Sequence, residues 1–126
     1  MSAYARVILV DDNELDNDFH EIVLRKAGYT GDILRFESGV DLLDFLASAP
    51  AQPRTCVLLD INMPILNGFD TADRLAGMAL PDPPEVHILS SSDSLADQRR
   101  ASAQPFVRGY LVKPLTVTAA RRLLGA

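Results

Sequence analysis

Residues 56–64 read CVLLDINMP: four apolar side chains, Cys56 to Leu59, run straight into Asp60, and Pro64 then breaks the segment. A short continuous apolar run closed by a turn signal is the pattern of a strand buried on both faces, as in a parallel sheet covered by helices. A carboxylate has no favourable place inside such a core. Asp60 therefore marks where the strand leaves the sheet.

The same pattern recurs along the chain. ARVILV (5–10) is apolar and β-branched and stops at Asp11-Asp12-Asn13, which gives a first strand. Leu15, Phe19, Ile22, Val23 and Lys26-Ala27 then recur at steps of three and four, and Gly28 follows as a stop; the spacing predicts an amphipathic helix with that stripe as its apolar face. DILRF (32–36) is a second strand, and Ser38 is placed to cap a helix with apolar positions at Val40, Leu42, Leu43, Phe45 and Leu46. Pro50 and Pro53 mark a loop before the third strand, TCVLL (55–59). A helix over 69–77, a loop at Pro81-Pro83-Pro84 and a fourth strand, VHILS (86–90), come next. A polar helix over about 93–103, a fifth strand at YLV (110–112) and a short helix over 116–124 complete the order.

Five strands alternating with five helices predict an α/β fold: a doubly wound, five-stranded parallel sheet, flavodoxin-like, in the order 2-1-3-4-5. With 126 residues, 48% of them hydrophobic, the expectation is one domain over 1–126 with no output domain beside it. The formal charge of −5 opposes broad attraction to a phosphate backbone, and the basic pairs Arg99-Arg100 and Arg121-Arg122 read as solvated helix faces. Cys56, the one cysteine, cannot form an internal disulfide and sits in an apolar run, so it reads as a small buried hydrophobe. The start, MSAYARVILV, lacks the features of a signal peptide, and no apolar stretch reaches bilayer length. A cytoplasmic protein without membrane insertion or direct nucleic-acid binding is expected.

In doubly wound sheets functional groups gather beyond the C-terminal strand ends, where the strand order reverses. For this order that crevice lies between strands one and three, whose ends carry Asp11-Asp12 and Asp60. Singly, each aspartate serves as well as a loop former or helix cap. Together they repel one another unless a cation compensates, and an all-oxygen donor set suits Mg²⁺. Ser90-Ser91-Ser92 and Lys113-Pro114 close the fourth and fifth strands; each is an ordinary turn sequence alone. At one rim, metal, carboxylate, hydroxyl and ammonium fit the formation of an acyl phosphate, with Ser and Lys holding the developing charge.

Five segments in order, VILVDDN (7–13), FESGVDLLDFL (36–46), LLDINMPILNG (58–68), ILSSSD (88–93) and GYLVKPL (109–115), make the chain resemble the receiver domains of bacterial two-component response regulators, including the single-domain chemotaxis type. The resemblance implies that Asp60 is phosphorylated by a sensor histidine kinase or a histidine phosphotransfer protein, and that an unknown downstream protein reads the result. It implies Mg²⁺, with Mn²⁺ as a substitute, bound by Asp12, Asp60 and the Asn62 backbone carbonyl, with Asp11 acting mainly through water. Ser90 matches the switch hydroxyl, Lys113 the phosphoryl-binding lysine and Tyr110 the aromatic switch, and the Lys113-Pro114 bond is cis in similar proteins. Pro64, Gly68 and Pro114 shape loops. Asn62 and Ser92 fall where the family tunes acyl-phosphate hydrolysis. Neither side chain is a base that would activate water.

Tyr110 also reads as a simple packing residue near a sheet edge. His20 and His87 read as structural or surface residues, without neighbours that would make His20 a phosphotransfer histidine. The departures from the family pattern are Ser at 90 in place of the commoner Thr, a fourth helix with few apolar anchors and a short last helix. A flavodoxin-like cofactor binder would need a phosphate loop where DDNE stands. An aspartyl phosphatase would need an acid where Asn62 stands. A phosphorylation-independent binding module, a phosphate sink and a relay intermediate remain as alternatives.

Overall fold

A computed structural model describes residues 3–48 and 52–125. Five strands, β1 (Arg6–Val10), β2 (Asp32–Phe36), β3 (Thr55–Leu59), β4 (Glu85–Ser90) and β5 (Val107–Val112), alternate with five helices: α1 (Glu14–Lys26), α2 (Gly39–Ser48), α3 (Gly68–Gly77), α4 (Leu95–Ser102) and α5 (Val117–Leu123). All strand pairs are parallel and the order is β2-β1-β3-β4-β5, as the alternation predicts. Pro50 lies outside the described residues, so only Pro53 of the expected loop pair is seen. Among the described residues, no helix is long and apolar enough to cross a membrane.

Alternation along the strands divides the core. Ile8, Val10, Val57, Leu59 and Ile88 pack with Leu42, Leu46, Phe69 and Leu75 under α2 and α3, with Ala101 of α4. Val7, Leu9, Cys56, Leu58 and Leu89 pack on the other face with Val23, Leu24 and Ala120 under α1 and α5. Side chains of successive residues point to opposite faces, so apolar runs without alternation are what a sheet buried twice requires. Every residue of β1 and β3 is buried, Cys56 included.

Two expectations are corrected. The apolar stripe expected on α1 is split: Leu15, Phe19 and Ile22 are exposed, while Val23 of that stripe faces the sheet together with Asn17, His20 and Leu24. The polar pair is inside because this part of α1 lies beneath the strand ends, where the Asn17 side-chain N–H donates to the Asp11 carbonyl at 3.0 Å. β5 also starts earlier than YLV, at Val107, because β4 offers partners back to Val86 with a register shift beside His87. His87 is half-buried, with its Nε2 enclosed.

Helix starts follow local chemistry. Asn13 Oδ1 accepts from the Leu15 and Asp16 N–H groups, Ser38 Oγ from Asp41, Asn67 Oδ1 from Asp70, Ser94 Oγ from Asp97 and Thr116 Oγ1 from Ala119. The Asn13 cap makes α1 begin immediately after Asp11-Asp12. α4 accordingly starts after Ser94 rather than at Asp93.

Candidate functional site

In-register pairing brings the acids together. Val10 lies opposite Leu59, and the Asp60 N–H donates to the Val10 carbonyl at 3.0 Å, so the residues that follow, Asp11 and Asp60, leave the sheet side by side. Carboxylate oxygens of Asp11, Asp12 and Asp60 all lie within 4.8 Å of one another; Asp11 and Asp60 are buried and Asp12 is exposed. Burial and the neighbouring Asp11 charge push the Asp60 carboxyl up from 3.8 to about 6, against the Lys113 charge and a hydrogen bond from the Asn62 backbone N–H. A cluster of hard oxygen donors whose negative charge exceeds what the single neighbouring ammonium, Lys113, offsets fits a divalent cation of the Mg²⁺ kind.

Lys113 enters from the end of β5. Its Nζ lies 2.6 Å from Asp11 Oδ2, 2.8 Å from Asp16 Oδ2 and 3.6 Å from Asp60 Oδ1. Burial works against its charge, but the hydrogen bonds to Asp11 and Asp16 and the Asp60 field outweigh it, so its pKa stands above that of an exposed lysine. The Lys113-Pro114 peptide is cis, and the Lys113 N–H donates to the Ser90 carbonyl at 2.8 Å, which ties the fifth strand end to the fourth.

Ser90 is fully buried at the end of β4, and its Oγ accepts from the Ser92 N–H at 3.1 Å. The Ser92 hydroxyl is turned to α4, donating to Asp97 Oδ2 at 2.7 Å, and the Asn62 side chain is exposed. Tyr110 is half-buried on β5 and its hydroxyl donates to the Ser92 carbonyl at 2.7 Å. Below β3, the Gly68 N–H donates to the Ile61 carbonyl at 2.9 Å, and a Cβ on Gly68 would stand 2.3 Å from the Asp60 carbonyl oxygen. Glycine is required there by close backbone approach. Pro64 is exposed in the same loop, where its carbonyl accepts from Leu66, and Met63 is buried in the core.

Sequence reasoning missed three neighbours of this pocket. Asp16 bonds Lys113, Asn17 is buried against Asp11, and His20 is buried beside them; His20 is held neutral more strongly than usual by burial and the Lys113 charge, against Asp11 and Asp16. Asp16 lies in the first turn after the acidic pair, a position that pointed toward the strand ends.

A family model described as the response regulator receiver domain matches residues 7–124. The chain belongs to the response regulator receiver family. This receiver is 26% identical over 119 residues to the autoinducer 1 sensor kinase/phosphatase LuxN of Vibrio campbellii, covering 94% of the chain but 13% of LuxN. It is 32% identical to the protein PilH of Pseudomonas aeruginosa, over 88% of the chain and 87% of PilH. A two-component response regulator of Cytophaga hutchinsonii superposes on it with a TM-score of 0.83 at 31% identity, over 95% of this receiver and 93% of that chain. Receiver domains are signalling proteins of two-component systems, and the acidic cluster here is of the kind that holds their metal.

Proposed function

We propose that this receiver takes a phosphoryl group onto Asp60 from a sensor histidine kinase or histidine phosphotransfer protein and passes the signal on by protein contact. The observation that carries this reading is the convergence of Asp11, Asp12, Asp60 and Lys113 from the C-terminal ends of β1, β3 and β5. An Asp60 oxygen forms the new P–O bond while the P–N bond to the donor imidazole breaks, its electron pair going to the imidazole nitrogen. Lys113 places positive charge opposite the phosphoryl oxygens, and the Ser90 hydroxyl donates to one of them. Mg²⁺, or Mn²⁺ in its place, held by Asp12, Asp60 and the Asn62 backbone carbonyl, with Asp11 acting mainly through water, would neutralise charge on the transferring group.

Once Ser90 turns to the phosphoryl oxygen, the Ser92 N–H loses its partner and the loop that anchors the Tyr110 hydroxyl shifts. Tyr110 moves inward, and the surface of α4, β5 and α5 changes with it, a population shift driven by contacts made only in the phosphorylated form. Asn62 and Ser92 set the hydrolysis rate without supplying a base, while Pro64, Gly68 and Pro114 fix the loops that hold Asp60 and Lys113. We read the receiver as a cytoplasmic, stand-alone regulator without nucleic-acid or membrane contacts, supported by its match to PilH over most of both chains and by its charge of −5.

Incubation with acetyl phosphate and Mg²⁺ followed by intact-mass measurement tests the reading. A hydroxylamine-labile gain of one phosphoryl group is expected, absent from Asp60→Asn and from an EDTA-treated sample. No gain, with Mg²⁺ binding confirmed separately, would leave a phosphorylation-independent binding module.

A further inference from the structure

Lys113 does not sit closest to the acid it is proposed to serve. Its ammonium makes two charge-assisted hydrogen bonds, to Asp11 at 2.6 Å and Asp16 at 2.8 Å, and stands 3.6 Å from Asp60, beyond hydrogen-bond range. Asp11 cannot follow it elsewhere, since its other oxygen accepts from the Asn13 N–H at 2.9 Å and its carboxylate is buried. Asp16 differs: its carboxylate is 39% exposed, on the solvent side of the ammonium, and the Asn13 cap fixes it in the first turn of α1.

We propose that Asp16 is a positioning residue that stations Lys113 away from Asp60, keeping the ammonium, bonded to Asp11, off the Asp60 oxygens until an anion is installed there. The part concerning the anion rests on the phosphoacceptor reading above. Without Asp16 the ammonium keeps only its bond to Asp11, and the next carboxylate in reach is Asp60, 3.6 Å away. Lys113 then moves onto Asp60 and competes with a divalent cation for the same oxygens. In the opposite direction, a phosphoryl group on Asp60 must draw Lys113 off Asp16. Asp16 therefore favours the unphosphorylated, cation-accepting form over the phosphorylated one.

The two rival roles of Asp16 make different predictions. As a first-turn acid it complements the helix dipole, and its loss would lower thermal stability without touching Lys113. As a bare negative charge near the pocket it would favour cations and disfavour anions whether or not Lys113 is present. The test is therefore a double-mutant cycle on the full chain, with Asp16→Asn, Lys113→Ala, the double variant and Asp16→Glu. Calorimetric titration measures Mg²⁺ affinity, and a second titration with Mg²⁺ present measures the phosphoryl mimic beryllofluoride.

In the Lys113 background, Asp16→Asn is expected to weaken Mg²⁺ and tighten beryllofluoride, each by about three- to tenfold, the range of a half-exposed charge-assisted pair. Asp16→Glu restores most of both, and in the Lys113→Ala background Asp16→Asn changes neither by more than about twofold. Equal effects in the two backgrounds, or a lowered melting temperature with unchanged affinities, would overturn the proposal. If the wild type binds Mg²⁺ but not beryllofluoride, the phosphoacceptor reading fails, and the Mg²⁺ cycle alone still decides whether Asp16 stations the lysine.

Discussion

Ile65, in the loop between β3 and α3, carries a β-branched side chain at φ 69° and is wholly exposed. The left-handed region costs such a residue roughly 1–3 kcal/mol, and full exposure leaves no burial to offset it. Ile65→Gly relieves that strain at an entropic cost of about 0.5–1 kcal/mol, so a net gain of about 1 kcal/mol is expected, read as a rise of a few degrees in melting temperature. Gly68 is the reverse case. A methyl group there meets the backbone of Asp60 and Ile61 at 2.3 and 2.9 Å, and backbone cannot rotate aside as a side-chain tip can. Gly68→Ala should cost roughly 1–3 kcal/mol in urea unfolding and displace Asp60, slowing its reaction with acetyl phosphate more than the stability loss explains. Asp11, Asp12 and Asp60 were legible in the sequence because the pair Asp11-Asp12 and the single Asp60 each close an apolar run, and the topology rule says where such ends meet. Asp16, Asn17 and His20 were not, because their importance comes from what packs against α1, which no local pattern encodes.

Among the elements, α1 shows where helical periodicity misleads. Leu15, Phe19 and Ile22 keep the spacing of a core face, yet the helix turns Val23, Leu24 and the polar pair Asn17 and His20 to the sheet. Two faces were available, and the choice is made by the Asn13 cap, which sets the rotation of α1, and by Asn17 reaching the Asp11 carbonyl. Mutation separates the faces. Leu24→Ala, at a fully buried position, should cost roughly 2–5 kcal/mol, whereas Leu15→Ser should stay within about 0.5 kcal/mol by chemical denaturation. If Leu15→Ser were the costlier change, the stripe would be buried after all. The few apolar anchors expected of α4 and the short span expected of α5 both hold: α4 buries only Ala101 within its helical span, and α5 runs for seven residues and buries Ala120. The strands needed no such choice, since β1 and β3 are buried on both faces.

At the scale of the whole molecule, the acidic pocket sets site against stability. Asp60 ionises in the fold near pH 6, above the ordinary 3.8, because burial and Asp11 outweigh Lys113 and the Asn62 N–H. Between those two values the native state binds more protons than the unfolded chain, so this group makes stability fall as pH rises from about 4 to about 6 and leaves its full penalty above that. At neutral pH the penalty is roughly 2–3 kcal/mol. Asp60→Asn removes the charge while Lys113 keeps Asp11 and Asp16 as partners. In EDTA near pH 7.5 the variant should therefore melt several degrees above wild type, with the gap closing toward about pH 4. Mg²⁺ should reverse the order of benefit. A cation at about a hundred times its Kd adds about 2.7 kcal/mol to whichever protein binds it, which matches the penalty in wild type and is largely lost when one of three carboxylates becomes an amide. Melting curves of the two proteins with and without Mg²⁺ check this directly. A wild type that melts with or above Asp60→Asn in EDTA would mean that Lys113 already satisfies Asp60, and the pocket would then have no excess charge with which to draw a cation in.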